Sequence, residues 1–138
     1  MIGTAPSGDR YWLKAIGHAR GPLPADWLAG SRSLVRTGFP RRPRIEPGDR
    51  LVYYASVWKR IFAVVEVTEA PVMRDDAPQR WPWSVEVAPL LLIAQLDDAP
   101  PVEACGVMAR SMSQQSHISI TPEQFERAVD ALASIARG

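Results

Sequence analysis

The chain has 138 residues, 46% of them hydrophobic, with 16 Lys and Arg against 15 Asp and Glu. That length suits one domain and buries roughly 68–70% of the unfolded surface, so a single core forms without staples. One cysteine, Cys105, excludes an internal disulfide and a cysteine-rich metal site, and no apolar run approaches the roughly 20 residues of a membrane-spanning helix.

Residues 1–9 read as a flexible tail, and the domain as residues 10–138. The opening MIGTAPSGDR lacks the apolar stretch of a signal peptide, so the expected location is cytoplasmic. "RYWLKAIGH" (10–18) has the aromatic and branched composition of a strand. "ADWLAGSRSL" (25–34) reads as a short helix after Pro-flanked turns, with Trp27 on its apolar side. "FPRRPRIEPGD" (39–49) carries Pro40, Pro43 and Pro47 and reads as an irregular loop, because proline removes a donor and fixes φ. "DRLVYYAS" (49–56) and "RIFAVVEVTEA" (60–70) alternate and read as a hairpin. Its tip, Trp58-Lys59-Arg60, is unusual: a turn calls for Gly, Asn or Asp, not an indole. Either Trp58 folds back onto the core edge or it is held out towards a flat guest.

Further on, "PVMRDDAPQRWP" (71–82) is a polar connection. "WSVEVAPLLLIAQL" (83–96) is another strand, with Pro89 marking an edge or a bulge. Residues 97–120 are mixed, with "VEACGVMAR" (102–110) a candidate short helix. "TPEQFERAVDALASIARG" (121–138) is the clearest helix. Thr121 is its N-cap, Pro122 its first residue, and Gln124 completes a capping box. Phe125, Val129, Leu132 and Ile135 recur at helical spacing, so one face packs on the sheet. Strands with short helices between and after them predict an α+β fold on a curved sheet or small barrel.

Charge is unevenly spread. Residues 1–60 hold 11 Lys and Arg against 4 Asp and Glu, whereas residues 61–138 hold 5 against 11. The asymmetry fits an anionic partner on one face, unless the two halves interleave in space and cancel.

"RYWLK", the Pro-and-cation loop ending in "EPGDRLVYY", "FAVVEVTEAP", "WPWSVEVAPLLLI" and "ITPEQFERAVDAL" follow one another in the order of an EVE domain. The resemblance spans roughly residues 10–135 and extends to the PUA-like superfamily, which also holds the YTH and ASCH domains. It implies a mixed pseudo-barrel of about five or six strands with flanking helices and no cofactor or metal. It further implies a nucleic-acid-binding module that places a base, modified in many relatives, in an aromatic pocket. The partner is DNA or RNA; YTH relatives take methylated adenine in RNA, and EVE relatives are associated with modified DNA bases.

Carried over by position, the base-edge contacts fall on Ile16-Gly17-His18. One cage wall falls on Thr37-Gly38-Phe39-Pro40, where the tryptophan of the YTH pattern is absent and Phe39 is the aromatic present. A second wall falls on Trp81 and Trp83, which share a side in an extended segment. The candidate base-binding set is Trp12, His18, Phe39, Tyr54, Trp58, Trp81 and Trp83. The candidate phosphate contacts are Arg41, Arg42, Arg44, Lys59 and Arg60. Each has a plainer reading, Trp12 and Trp27 as core and the arginines as a solvated loop.

Stacking is worth about 1–3 kcal/mol per base and tolerates any sequence, while phosphate contacts make binding salt-dependent. No nucleophile elbow, paired histidines or phosphate-binding glycine loop is present, and the chain is expected not to be an enzyme. Two alternatives stay open. One is a small-ligand or partner-binding regulatory domain. The other is an ASCH-like amide hydrolase using Lys14, Tyr53 and Glu66. A Ser/His site in "SMSQQSHIS" (111–119) would need an orienting carboxylate.

Overall fold

The computed structural model describes residues 10–16, 35–75, 81–113 and 115–137. The expected tail, the expected helix at 25–34 with Trp27, and His18 lie outside the described residues. Among the described residues, seven strands and one α-helix follow in order: β1 (Tyr11–Ile16), β2 (Arg36–Phe39), β3 (Arg50–Ala55), β4 (Arg60–Val67), β5 (Val72–Met73), β6 (Trp83–Leu92), β7 (His117–Ile120) and α1 (Pro122–Arg137). They form one sheet in the order β2-β6-β4-β3-β1-β7, with β5 added to β6. β1 runs parallel to β3 and the remaining pairs are antiparallel.

β2 and β7 end the sheet, yet the Phe39 and His117 rings meet with centroids 5.0 Å apart. The sheet is therefore curled into a half-barrel whose two margins approach each other. Shifts of register between Tyr53 and Tyr54 and between Val64 and Val65 mark the bulges that increase local twist and help it curl.

Side chains alternate between the two faces of a strand. Trp12 and Lys14 of β1 share the inner face with their register partners Leu51 and Tyr53 of β3, and with His117 of β7. Leu51, Tyr53, Val65, Val85 and Phe39 are buried there. The outer face is covered by α1. Tyr11 stacks on Phe125 with centroids 4.2 Å apart, and Ala128 and Leu132 are fully buried. Burying each such large apolar side chain stabilises the fold by roughly 1.5–3 kcal/mol. α1 starts with a reciprocal cap: the Gln124 N–H donates to Thr121 Oγ1 at 3.0 Å, and the Thr121 N–H donates to Gln124 Oε1 at 3.0 Å.

The hairpin tip resolves towards packing. Trp58 is half-buried against the core, and the Arg60 guanidinium lies 5.8 Å from its ring centroid. Arg60 also donates to the carbonyls of Leu96 (2.8 Å) and Asp97 (2.7 Å), tying the tip to the 3₁₀ turn at Leu96–Asp98. The indole closes the core edge there, and the cation adds a second donor to the Leu96 carbonyl, which already accepts from the Ala99 N–H at 3.1 Å.

The structure differs from the sequence reading in three respects. The strand expected over 83–96 ends at Leu92. The short helix expected over 102–110 is two 3₁₀ turns, Val102–Cys105 and Ala109–Met112, broken at Gly106, whose φ of 84° is left-handed. β2, β5 and β7 were not expected as strands; each has four residues or fewer, too short for alternation to show. No helix among the described residues is long and apolar enough to cross a membrane.

Candidate nucleic-acid interface

The "EPGD" turn builds the site's floor. Gly48 has a φ of 94°, which only glycine adopts freely, and its N–H donates to the Val67 carbonyl at 2.8 Å. Asp49 is fully buried, and its Oδ2 accepts from the Glu46 N–H (3.1 Å) and from Trp12 Nε1 (3.0 Å). Arg10 Nε stands 3.7 Å from the same oxygen. The Arg10 guanidinium also lies 4.9 Å from the Trp12 ring centroid, pairs with Glu46 at 2.9 Å, and donates to the Arg44 carbonyl. One buried carboxylate thus holds the indole of β1 and anchors the Pro/Arg loop beside it.

That loop overhangs a cavity of about 290 Å³ lined by Trp12, Pro40, Arg41, Arg42, Pro43, Arg44, Ser116 and His117. The volume lies at the small end of ligand pockets, which span about 300–1,000 Å³. On the other side of the loop, Arg42, Pro43 and Arg44 also line a second, more polar hollow with Arg10 and Glu46. Arg41, Arg42 and Arg44 are exposed. The Arg42 guanidinium lies 5.5 Å from the Trp83 ring centroid, so its planar cation rests on an aromatic face.

Behind the cavity wall stands Lys14. Its side chain is buried, and its ammonium lies 4.7 Å from the Phe39 centroid and 5.4 Å from that of Trp81. It donates to the Ala15 carbonyl at 2.8 Å. Burial drives its pKa down to about 7. Its register partner His117 touches both the Trp12 and Phe39 rings, with centroids 5.5 and 5.0 Å away. Burial, then the Lys14 charge, hold the His117 imidazole below its ordinary value. Gly38 permits the cage to close, because a Cβ built there would stand 3.2 Å from Trp81 Cβ.

The structure puts Trp12, Arg41, Arg42 and Arg44 on the cavity; Phe39, fully buried, Trp81 and Trp83 are not among the residues that line it. It places Trp58, Lys59 and Arg60 beyond the Ala55 end of β3, whereas Asp49, which holds the Trp12 indole, precedes its Arg50 end. Tyr54 is buried on the outer face, where burial, then the Glu103 charge, raise its pKa. These four residues therefore do not reach the cavity: Trp58 and Tyr54 are packing residues, and Arg60 is engaged with carbonyls.

The hydrolase triad is not assembled. Lys14 and Tyr53 share the inner face, and the buried Tyr53 hydroxyl bonds Thr37. Glu66 pairs with Arg50, on the opposite face. Ser116 Oγ lies 2.6 Å from His117 Nδ1, but the charged neighbour of that ring is Lys14, not the carboxylate a Ser-His relay uses. No group of three or more His, Cys, Asp or Glu among the described residues could hold a metal ion.

Sequence reasoning did not find His117 or Lys14 as cage members, nor Gly38 as their spacer. A lysine two residues from Trp12 in a strand was the available signal, since both must share one face.

No protein-family model and no curated protein matches the chain. Solved structures do. The chain is similar to the Mmi1 YTH domain, with a TM-score of 0.60 at 8% identity, covering 94% of this chain and 78% of that one. It is similar to protein Atu2648 from Agrobacterium tumefaciens, with a TM-score of 0.57 at 15% identity over 91% and 92% of the two chains. A hypothetical protein from Leishmania major gives a TM-score of 0.56 at 14% identity over 93% and 97%. These likenesses show the fold, an α+β half-barrel on one curled, mixed sheet.

Proposed function

We propose that the chain is a non-enzymatic, nucleic-acid-binding module that takes one base, modified or not, into the cleft between the half-barrel and the Pro/Arg loop. The observation that carries this reading is the meeting of Trp12, His117 and three exposed arginines around one small cavity. An extruded base loses its stacking, and aromatic faces replace it at about 1–3 kcal/mol each. The arginines sit where the phosphates on either side of that base would run. The fold shared with a YTH domain supports the same reading, and so does the resemblance to EVE domains.

Titration of single-stranded RNA and DNA oligomers, modified and unmodified, at two ionic strengths tests it. Affinity is expected to fall steeply with salt. A ligand bound with no salt dependence would point instead to a small-molecule regulatory domain, and turnover of the ligand to an enzyme.

A further inference from the structure

Lys14 is a buried cation with no ion-pair partner among the described residues. An ammonium has three donors and no acceptor. One donor reaches the Ala15 carbonyl, and the aromatic faces of Phe39 and Trp81 lie beside the rest. Rings attract a cation but do not accept hydrogen bonds as an oxygen does.

Among the described residues, every element packed round the ammonium withholds a carboxylate. β2 contributes Phe39, the segment before β6 contributes Trp81, β7 contributes His117, and β3 contributes Tyr53, whose hydroxyl bonds Thr37. Trp81 is only half-buried, and its ring centroid lies 5.4 Å from the ammonium.

We infer, on the strength of the base-binding reading above, that Lys14 selects the exocyclic group of the guest. It takes bases with an oxygen at purine position 6 or pyrimidine position 4 (guanine, uracil, thymine) over those with an amine there (adenine, cytosine). The two classes differ at that atom: guanine O6 and thymine O4 accept, whereas adenine N6 and cytosine N4 donate. An oxygen sliding in along the Trp81 ring supplies the acceptor the ammonium lacks. An amine in the same place sets donor against donor and leaves both desolvated. The preference belongs to the protonated form. Neutral Lys14 offers a lone pair and accepts from an amine, so discrimination weakens as pH rises through about 7. Among the described residues, His117 and Tyr53 are the other titratable groups facing Lys14. Burial, then the Lys14 charge, favour the neutral form of His117.

Tryptophan-fluorescence titrations with single-stranded tetramers that differ in one base (A, G, C, U or inosine) read this out. At about pH 6.5, G, inosine and U are expected to bind about tenfold or more tighter than A and C, the scale of one hydrogen bond to a charged group. Inosine keeps the oxygen and lacks the guanine amine, so it separates the two. The gap is expected to shrink at about pH 8.2, and Lys14→Met, which keeps the unbranched apolar shape, is expected to bind all five within a fewfold. Wild-type protein that binds A as tightly as G and inosine at both pH values, with salt dependence intact, overturns the inference and leaves base binding standing. Failure of every oligomer to bind overturns both. Should Lys14→Met not fold, the wild-type pH series decides alone.

Discussion

The imidazole of His117 meets the ring of Phe39 edge to face, with centroids 5.0 Å apart and planes at 89°. The two residues belong to the end strands of the sheet, so this contact is where the half-barrel's margins meet. It also sets His117 beside Lys14, which helps hold the imidazole's pKa below its ordinary value. Replacing Lys14 by Met removes that cation and leaves burial acting alone. The His117 pKa is expected to rise towards its ordinary value, and an NMR titration of the imidazole protons measures it. An unchanged pKa would place the ammonium away from the ring.

Lys14 also makes stability depend on pH. Its folded pKa of about 7 lies below its unfolded value of 10.5. Between those two values the unfolded chain binds more protons, so stability from this group rises with pH. Below about 7 both states are protonated, and the burial penalty is present in full. Lys14→Met is therefore expected to be more stable than wild type at neutral pH, by on the order of 2–4 kcal/mol. The advantage should fade towards pH 10.5. Urea unfolding of both proteins across that range shows whether the two stability curves converge.

Gly38 lies under Trp81, where an added methyl would meet Trp81 Cβ at 3.2 Å. Gly38→Ala should push the indole outwards by a few tenths of an ångström. A strand glycine replaced by alanine otherwise gains roughly 0.5–1 kcal/mol, so the net change in stability is expected to be small. Binding should weaken severalfold even so. A melting curve paired with an oligomer titration separates the two effects, and unaltered affinity would remove Trp81 from the guest's path.

The two ends of β3 make a matched pair of tests. Arg41→Gln and Arg44→Gln are each expected to lower the slope of log affinity against log salt by about 1, as a lost phosphate contact does. Trp81→Ala is expected to weaken binding by about 1–3 kcal/mol without unfolding the protein. Trp58→Ala, at the far hairpin, should cost stability and leave affinity alone, because its indole packs on the core beside Arg60. Loss of affinity in Trp58→Ala at full folding would move the site.

That far hairpin carries strain. Val57 has a φ of 75° and Lys59 a φ of 59°, both left-handed, and Val57 is a branched residue left 66% exposed. Branched residues are rare at such angles, which cost about 1–2 kcal/mol. Val57→Gly relieves the clash but adds freedom to the unfolded chain, so a gain of up to about 1 kcal/mol is expected. Thermal unfolding decides, and a lower melting temperature would mean that the Val57 side chain packs in a way its exposure hides.

The sequence by itself determined the parts whose cause is local. Alternation over residues 49–67 set the hairpin, and Thr121, Pro122 and Gln124 set the start of α1. Each needs only neighbours a few residues away. Tertiary structure alone decided which aromatic residues face one another. Phe39 and His117 are joined only when the sheet curls far enough to bring its two ends together. The same curling buries Lys14 between rings from distant segments, and it sends Trp58 and Arg60 to the opposite end from Arg41, Arg42 and Arg44. Composition records that a chain has indoles and guanidinium groups. Their convergence depends on strand register and sheet curvature, which are summed over the whole sheet and written in no single stretch of it.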